Sequence, residues 1–269
     1  MSVRIVDTTL RDGEQKAGIA FGAREKLSIV RLLDGIGVYQ IEAGIPAMGG
    51  DEKRSIHSMM GRELKSLISA WNRMSVSDIK HSIDCEVDII HISVPVSDIQ
   101  IRSKLNKDRQ WVLDTMKSCI DYSNGKGFET TIGLEDASRA DFSFILEIIE
   151  VARSEGATRI RYADTVGVLC RQRTFQEFSQ IVKKRHLPLE MHAHNDLGMA
   201  VANSLAAINA GAEYIDCTIG GMGERAGNCD FYRFVSAARA HLGLFRDVDL
   251  GRIKECERKI MGLINSHFR

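Results

Sequence analysis

Several features are scarce or missing in this chain of 269 residues, and each absence excludes a class of protein. There are only 3 prolines and no segment rich in Gly, Ser and Pro, which argues against a flexible linker between domains. No stretch approaches the ~20 apolar residues that span a bilayer, and the start lacks the apolar run of a signal peptide. Lys and Arg total 36 and so do Asp and Glu, so no overall field favours nucleic acid or an anionic membrane. We therefore expect a cytoplasmic protein with neither of these partners.

The 6 cysteines also lack a pattern, since no C-x-x-C pair occurs. Scattered cysteines favour buried free thiols in a reducing compartment over disulfides or a zinc cluster. Their positions are 85, 119, 170, 217, 229 and 256.

What the chain does have is a regular alternation of apolar runs and segments with helical spacing. The apolar runs predict strands at 3–6, 38–43, 67–70, 87–94, 129–134, 159–163, 189–192 and 214–218. The helical spacing predicts helices at 24–35, 51–65, 76–85, 109–124, 141–154, 174–186, 199–210 and 230–242, with a further helix at 249–265. Eight β-then-α units in ~250 residues match a (β/α)8 TIM barrel, whereas a doubly wound sheet more often uses fewer strands. We predict a catalytic barrel over residues 1–245 and a C-terminal helical extension over 246–269.

Two polar segments follow apolar strands at opposite ends of the chain and predict a metal site. His192 and His194 are two residues apart in a strand, so their imidazoles face the same side. Asp12 and Asn228 add oxygen atoms, and a mixed N and O set of this kind suits a catalytic divalent ion with open positions. The alternative for the two histidines is a pair of polar residues that only bond to their neighbours.

Other polar side chains are predicted to follow strands and to face the same mouth. Arg11 could stabilise negative charge on a carbonyl or enolate oxygen, or could be a structural ion pair with Glu42 or Glu135. Thr165 could donate to a carboxylate, while His91 or Glu135 could position substrate or a relay water. Taken singly, each of these could equally be a packing residue. The glycine-rich segment 220–228 could bind phosphate or could reflect tight packing at the barrel rim.

Five motifs of the chain resemble those of a known family. They are DTTLRDGEQ at 7–15, EDASR at 135–139, DTVG at 164–167, HAHND at 192–196 and GERAGN at 223–228. In this order and over nearly the whole chain they resemble the metal-dependent barrel family of 2-isopropylmalate, citramalate and homocitrate synthases and hydroxymethylglutaryl-CoA lyase. The segments 44–49, 95–98 and 133–141 are most similar to the homocitrate synthases of nitrogen-fixing bacteria, which supply the organic acid of the nitrogenase cofactor.

The resemblance implies a condensation of acetyl-CoA with 2-oxoglutarate, followed by hydrolysis to homocitrate and CoA. It assigns Asp12, His192 and His194 as metal ligands, with Asn228 in or beside the metal shell. The metal could be Mg²⁺, Mn²⁺, Zn²⁺ or Co²⁺. The resemblance also implies a role for Arg11 in polarising the ketone and for Thr165 in holding the carboxylate of the 2-oxo acid. The residues that would line the pocket are His91, Gln15, Glu42 and Glu135.

The sequence departs from the family in two respects. Where related homocitrate synthases contact the distal carboxylate through a histidine and an arginine, this chain has Ser75 and Thr131. Family members usually continue past the barrel with a helical region that dimerises and completes the active site, whereas this chain ends there. We therefore expect an oligomer in which a second subunit supplies that region, with this chain as the α-type catalytic subunit.

Two alternatives stay open. Citramalate or 2-isopropylmalate synthesis would use pyruvate or 2-oxoisovalerate, which differ from 2-oxoglutarate only in the tail. From another class of protein, the chain could be a non-catalytic barrel partner, although a scaffold has no need for the set of Arg11, Asp12, His192 and His194. Cleavage by a lyase is disfavoured because Met222 stands in the glycine loop where lyases carry a cysteine.

Overall fold

The structure is a computed structural model that describes residues 3–184 and 187–266. Within this part, eight parallel strands close into a barrel in chain order. The strands are β1 (Arg4–Asp7), β2 (Gln40–Glu42), β3 (Leu67–Arg73), β4 (Ile89–Pro95), β5 (Glu129–Glu135), β6 (Arg159–Asp164), β7 (Leu189–Ala193) and β8 (Tyr214–Cys217). The predicted TIM barrel is confirmed.

Helices connect the strands on the outside of the barrel. They are α1 (Ala23–Gly35), α2 (Gly50–Met60), α3 (Val76–Asp84), α4 (Arg109–Asn124), α5 (Phe142–Ser154), α6 (Arg171–Lys184), α7 (Ala200–Asn209), α8 (Phe231–Leu242) and α9 (Leu250–Ser266). The extra helix α9 contacts α8 and α1, and its Ile253, Cys256 and Ile260 belong to the buried core. The boundary between a barrel at 1–245 and an extension at 246–269 stays a prediction.

The strands are short and apolar because both of their faces are covered. Side chains alternate between the helical layer and the barrel interior. In β6, Ile160 and Tyr162 are buried in the apolar core, whereas Arg159 and Arg161 pair with acids of other strands. The interior of this barrel is thus charged, and the apolar core lies between strands and helices.

A few predicted bounds differ from the structure. The helix predicted at 51–65 ends at Met60, because Gly61 caps it and the chain turns before β3. The last two residues of the helix predicted at 174–186 lie outside the described residues. All six cysteines are free, as predicted, but Cys170 is exposed rather than buried. Across the part of the chain that the structure describes, no helix is long and apolar enough to cross a membrane.

Candidate metal centre and surrounding cavity

Three side chains from opposite ends of the sequence meet at the carboxyl end of the barrel. Asp12 lies just after β1, His192 is in β7 and His194 follows it. The Nε2 atoms of the two imidazoles are 3.2 Å apart, and Asp12 Oδ2 lies 3.0 Å from Nε2 of His192 and 3.7 Å from that of His194. Ligand atoms at about 2.1 Å from one cation stand roughly 3 to 3.5 Å apart. The three groups therefore fit around a single divalent ion.

Unpaired polar atoms at this place support a metal ion as the missing partner. Asp12 Oδ1 and Asn228 Oδ1 are buried without a hydrogen-bond partner among the described residues. The Asn228 amide is held by donation to the carbonyl oxygen of Met222 at 2.9 Å. A Cβ added to Gly223 would lie 2.0 Å from Asn228 Nδ2 and 3.5 Å from Asp12 Oδ1, so the amide and the carboxylate are neighbours. Buried oxygen and nitrogen atoms that lack partners are expected where an ion completes the site.

A carboxylate behind His192 orients its ring. Asp216 Oδ2 lies 2.8 Å from Nδ1 of His192, an arrangement that leaves Nε2 facing the centre and is common behind metal-binding histidines. Burial disfavours the charged imidazole, but hydrogen bonds to Asp12 and Asp216 outweigh it and raise the pKa of His192 to about 9. Burial and the neighbouring His192 lower the pKa of His194 to about 3. Asp216 and Asp12 thus lie beside Nδ1 and Nε2 of His192, respectively. A divalent cation can take the place of the proton on Nε2.

Arg11 forms the ion pair that the sequence left open, and Glu42 is its partner. Arg11 Nε donates to Glu42 Oε1 at 2.5 Å, and Nη1 to Asp12 Oδ2 at 3.1 Å. Burial alone would raise the pKa of both carboxyls, but the charge of Arg11 dominates and holds each pKa well below its usual range. Arg11 and Asp12 are therefore a charged pair fixed beside the candidate metal position.

A cavity of about 260 Å³ opens above this centre at the barrel mouth. Arg11, Gln15, Glu135 and Thr165 all line it. Glu42 and Asn228 are not part of the lining: Glu42 is fully buried beneath Arg11, where it supports that side chain instead of contacting the cavity. The remaining lining residues are Asp12, Trp71, His91, Ser93, Lys104, Gly133, Arg161, Ala163, His192, His194 and Glu224.

His91 lies deeper than predicted. It is the third residue of β4 and not a residue beyond its end, so its ring is inside the barrel rather than at the mouth. Its Nδ1 is 2.9 Å from the hydroxyl of Thr131, and burial together with the nearby charge of Arg161 places the pKa of His91 well below its usual value. His91 is thus a neutral imidazole in the floor of the cavity.

Thr165 and Glu135 stand on neighbouring strands at the mouth. The Thr165 hydroxyl accepts a hydrogen bond from the backbone N–H of Asp136 at 2.8 Å, so its own O–H remains available to donate. Glu135 accepts from Lys104 Nζ at 2.9 Å and from the Ser93 hydroxyl at 3.3 Å. The cavity wall therefore offers one hydroxyl donor and one carboxylate beside a lysine.

The glycine-rich segment after β8 packs tightly. Tight packing is one of the two reasons that the sequence suggested for its glycines. Gly223 has a φ of +155°, and a side chain there would collide with Asn228. Arg225 ties the segment to two other loops, because it bonds to both oxygens of Asp196 at 2.8 and 3.0 Å and to the carbonyl oxygen of Thr165 at 2.7 Å. The loop thereby fixes the position of Asn228.

Several lining residues were not predicted from the sequence, and Trp71, Lys104 and Arg161 are the largest of them. Arg161 carried a signal, since an arginine-apolar-arginine pattern at 159–161 places two charges on the inner face of a strand. No comparable sequence signal pointed to Trp71 or Lys104, because an aromatic residue in a strand and a lysine in a loop occur in most barrels without a functional role.

The fold and the site together define a (β/α)8 barrel with a candidate metal centre at the carboxyl ends of its strands. Comparison with known proteins gives the family: residues 2–260 match the HMGL-like family, and the chain belongs to it. An HMG-CoA lyase from Bacillus subtilis superimposes with a TM-score of 0.88 over 98% of this chain and 94% of that one, at 16% identity, which shows the shared fold.

Curated relatives are more similar in sequence. The homocitrate synthase subunit alpha of Clostridium pasteurianum is 51% identical over 254 residues, which cover 92% of this chain and 94% of that protein. The 2-isopropylmalate synthase 2 of Caldanaerobacter subterraneus subsp. tengcongensis is 44% identical over 253 residues, covering 94% of this chain and 66% of its own length. The homocitrate synthase 1 of a Nostoc species is 43% identical, and the chain covers 68% of it. This chain thus spans nearly all of one relative and about two thirds of the others.

Proposed function

We propose that this chain is the catalytic barrel of a homocitrate synthase. Acetyl-CoA, 2-oxoglutarate and water would give homocitrate and CoA. The observation that carries the proposal is the meeting of Asp12, His192 and His194 beside the Arg11 guanidinium in one cavity. The similarity to two homocitrate synthases over more than nine tenths of the chain supports this activity.

Asp12, His192 and His194 would hold a divalent cation, with the Asn228 amide oxygen in or beside its shell. Such a cation, bound there, would supply Lewis acidity to the ketone and carboxylate oxygens of a 2-oxo acid. Its identity among Mg²⁺, Mn²⁺, Zn²⁺ and Co²⁺ depends on availability as well as on these ligands.

The residues around the cation would bind and orient the 2-oxo acid. The Thr165 hydroxyl, with its lone pair engaged by Asp136, would donate to the carboxylate next to the ketone. The Arg11 guanidinium would face the ketone oxygen and stabilise the negative charge that develops there as the carbon–carbon bond forms. Gln15 lines the same wall and would contact the substrate from the rim. Glu42 keeps Arg11 in this orientation.

Proton transfer would fall to the opposite wall. The methyl group of acetyl-CoA must lose a proton before its carbon attacks the ketone, and the ketone oxygen must gain one. Glu135 lines the cavity, where it accepts from Lys104 and would face the reacting groups, and the neutral His91 would position substrate or a water molecule below it. Hydrolysis of the thioester then releases CoA.

The principal alternative substrates are 2-oxoisovalerate and pyruvate. The similarity to a 2-isopropylmalate synthase supports the first of these alternatives. These acids would chelate the cation through the same ketone and carboxylate atoms, so only the residues that contact the tail can discriminate between them. A non-catalytic barrel remains the alternative from another class, and binding of a divalent ion without turnover would favour it.

We further propose that a second subunit covers the barrel mouth. Among the described residues, five of the six exposed large apolar side chains lie on loops that follow strands, and the sixth, Phe175, lies on α6. The five are Met48 after β2, Ile99 after β4, Val168 after β6, and Leu197 and Met199 after β7. Apolar groups gathered at one end of a barrel are typical of an interface. The relative named as subunit alpha supports a protein of more than one kind of chain.

A CoA-release assay tests the function. We expect release with 2-oxoglutarate in the presence of Mn²⁺ or Mg²⁺, loss of release after chelation, and restoration when the ion is returned. A panel with pyruvate and 2-oxoisovalerate separates the alternatives. Assays of the chain alone and coexpressed with a candidate second subunit test the partner, because full activity of the isolated 269-residue chain would contradict it.

A further inference from the structure

Arg161 has a nitrogen that the protein itself leaves without a partner. It is the third residue of β6, and its side chain is 3% exposed. Nη1 lies 2.7 Å from Glu42 Oε2, and Nε contacts Glu190 and lies 3.0 Å from Asp216 Oδ2. Nη2 is buried and has no hydrogen-bond partner among the described residues. A buried guanidinium nitrogen of this kind calls for an acceptor, and the described residues do not supply one.

The space beside Arg161 is the floor of the cavity. Arg161, His91, Trp71 and Gly133 all line it. Gly133 is the direct neighbour of Arg161 in the β5–β6 pairing, and a Cβ there would come within 2.5 Å of His91 Nε2. The side chain that Gly133 lacks leaves space for the His91 ring, which lies against it, and both His91 and Arg161 line the cavity.

Arg161 is linked to the candidate metal centre by one carboxylate. Asp216 Oδ2 lies 3.0 Å from Arg161 Nε and 2.8 Å from His192 Nδ1. Arg161, His192 and His194 also line the same cavity. A five-carbon dicarboxylic 2-oxo acid carries its second carboxylate on a two-methylene arm, whereas pyruvate ends in a methyl group.

We propose that Arg161 binds the distal carboxylate of a dicarboxylic 2-oxo acid and thereby selects 2-oxoglutarate. The inference rests on the proposed condensation and adds the residue that sets its substrate. Nη2 gives a charge-assisted hydrogen bond to the carboxylate. His91 Nδ1 lies 2.9 Å from the Thr131 hydroxyl, and in the neutral tautomer in which Nδ1 accepts from Thr131, the proton on Nε2 makes His91 a second donor. A monocarboxylic acid leaves the buried Nη2 unpaired and is rejected for that reason.

Lys104 is the competing cation in the cavity wall. It lies on the loop after β4, its side chain is 57% exposed, and its Nζ bonds to Glu135 at 2.9 Å. A partly solvated lysine at the rim, already paired with a carboxylate, discriminates less sharply than a buried guanidinium with a free donor. If Arg161 binds the distal carboxylate, substitution of Arg161 changes the substrate preference. If Lys104 binds it, substitution of Lys104 does so.

The test compares 2-oxoglutarate with 2-oxopentanoate, in which a methyl group replaces the distal carboxylate. The readout is the ratio of the two kcat/KM values for CoA release with Mn²⁺, measured on the full chain with its second subunit where one is required. We expect a ratio of at least about 100 in the wild type. The double variant Arg161→Gln/Glu190→Gln keeps the net charge of the barrel interior, and we expect its ratio to fall below about 10, mainly through KM for 2-oxoglutarate.

Arg159→Gln is the matched control. Arg159 lies two residues earlier on the same face of β6 and pairs with Glu190 and Gln40, but it does not line the cavity. We expect this variant to lower Tm and to leave the ratio unchanged. Arg161→Lys is the second test variant, since it keeps the cation but cannot bond to the three acids and the substrate together, and we expect an intermediate ratio.

The outcomes are distinct. Absence of CoA release with every 2-oxo acid would overturn the proposed function and this inference with it. Release with 2-oxoglutarate at a wild-type ratio near one, or an unchanged ratio in both Arg161 variants, would overturn the role of Arg161 alone. A ratio that falls in Lys104→Gln and not in the Arg161 variants would transfer the role to Lys104.

Discussion

Asp12 contacts three other charged or ionisable groups through one oxygen and leaves the other oxygen unpaired. Oδ2 lies within 3.1 Å of both Arg11 and His192, while Oδ1 is buried without a partner. A carboxylate that only held Arg11 in place would not need an unpaired buried oxygen next to two imidazoles. At this scale the site is best explained by a cation, and its ligands can be tested one at a time.

Replacement of either imidazole should remove the metal. We expect His192→Ala and His194→Ala to lose stoichiometric Mn²⁺ after dialysis and to lower kcat more than about 100-fold, since loss of a ligand exceeds the effect of losing a group behind it. Metal content by mass spectrometry and CoA release are the measurements, with circular dichroism to verify the fold. His241→Ala, on the exposed face of α8, is the control. Retained metal in both site variants would contradict the assignment.

Asp7 should make the protein less stable as pH rises. Burial raises its pKa to about 7, although Thr9 donates two hydrogen bonds to it. The unfolded chain loses the same proton near pH 3.9, so between about pH 4 and 7 the folded state binds more protons and stability falls with increasing pH. We expect the free energy of unfolding of the wild type to fall by on the order of 3 kcal/mol over this pH range through Asp7, and we expect Asp7→Asn to abolish this decrease.

Urea unfolding at pH 4.5, 6 and 7.5 measures the effect of Asp7→Asn. Asp114→Asn makes the same chemical change on the exposed face of α4 and should keep the slope of the wild type. Equal slopes for the Asp7 variant and the wild type would mean that Asp7 is ionised in the folded protein.

At the scale of elements, the loop after β8 depends on one arginine. Arg225 has a positive φ of 52° and joins the loops after β6, β7 and β8 through Thr165 and Asp196. We expect Arg225→Asn, which tolerates this φ, to cost at most about 1 kcal/mol of stability because the side chain is 42% exposed. Activity should fall about tenfold, because a 1 Å displacement near a reacting centre costs as much or more.

Hydrogen exchange over residues 219–229 locates the effect of Arg225→Asn. Faster exchange there, together with lower kcat/KM and a nearly unchanged Tm, is the expected combination. Arg233→Gln, a change of an 80% exposed arginine on the following helix, should alter none of the three. If Arg225→Asn, like Arg233→Gln, changes none of these three quantities, the loop does not depend on the hydrogen bonds of Arg225.

Element by element, the sequence predicted the order of strands and helices because apolar runs alternate with segments of helical spacing. It also located Asp12, His192 and His194, since strand ends in a parallel barrel share one edge. It placed His91 at the mouth, because strand periodicity gives the face of a residue and not its depth. It also missed the neighbours of Arg161, since the closure of a barrel alone brings Glu42 and Asp216 to β6.

At the scale of the whole molecule, α9 completes the core. Ile253, Cys256 and Ile260 are at most 2% exposed and pack with α8 and α1. We expect removal of residues 246–269 to cost on the order of 5 kcal/mol, because each buried apolar side chain contributes about 1.5 to 3 kcal/mol. Thermal unfolding of the 1–245 chain measures this effect, with Arg258→Ala on the exposed face of α9 as control. An unchanged Tm would show that the extension is a separate unit.

The charged interior of the barrel has a consequence for how new substrate ranges can be engineered. Arg159 and Arg161 pair with Glu42, Glu190 and Asp216, two cations with three carboxylates, so most single exchanges at these positions in a library should lower stability. Productive variants should instead carry compensating exchanges of an acid with a base. A change at the uncharged position Gly133 is not a single-step route either, because a Cβ there would lie 2.5 Å from His91 Nε2 and the imidazole would have to move.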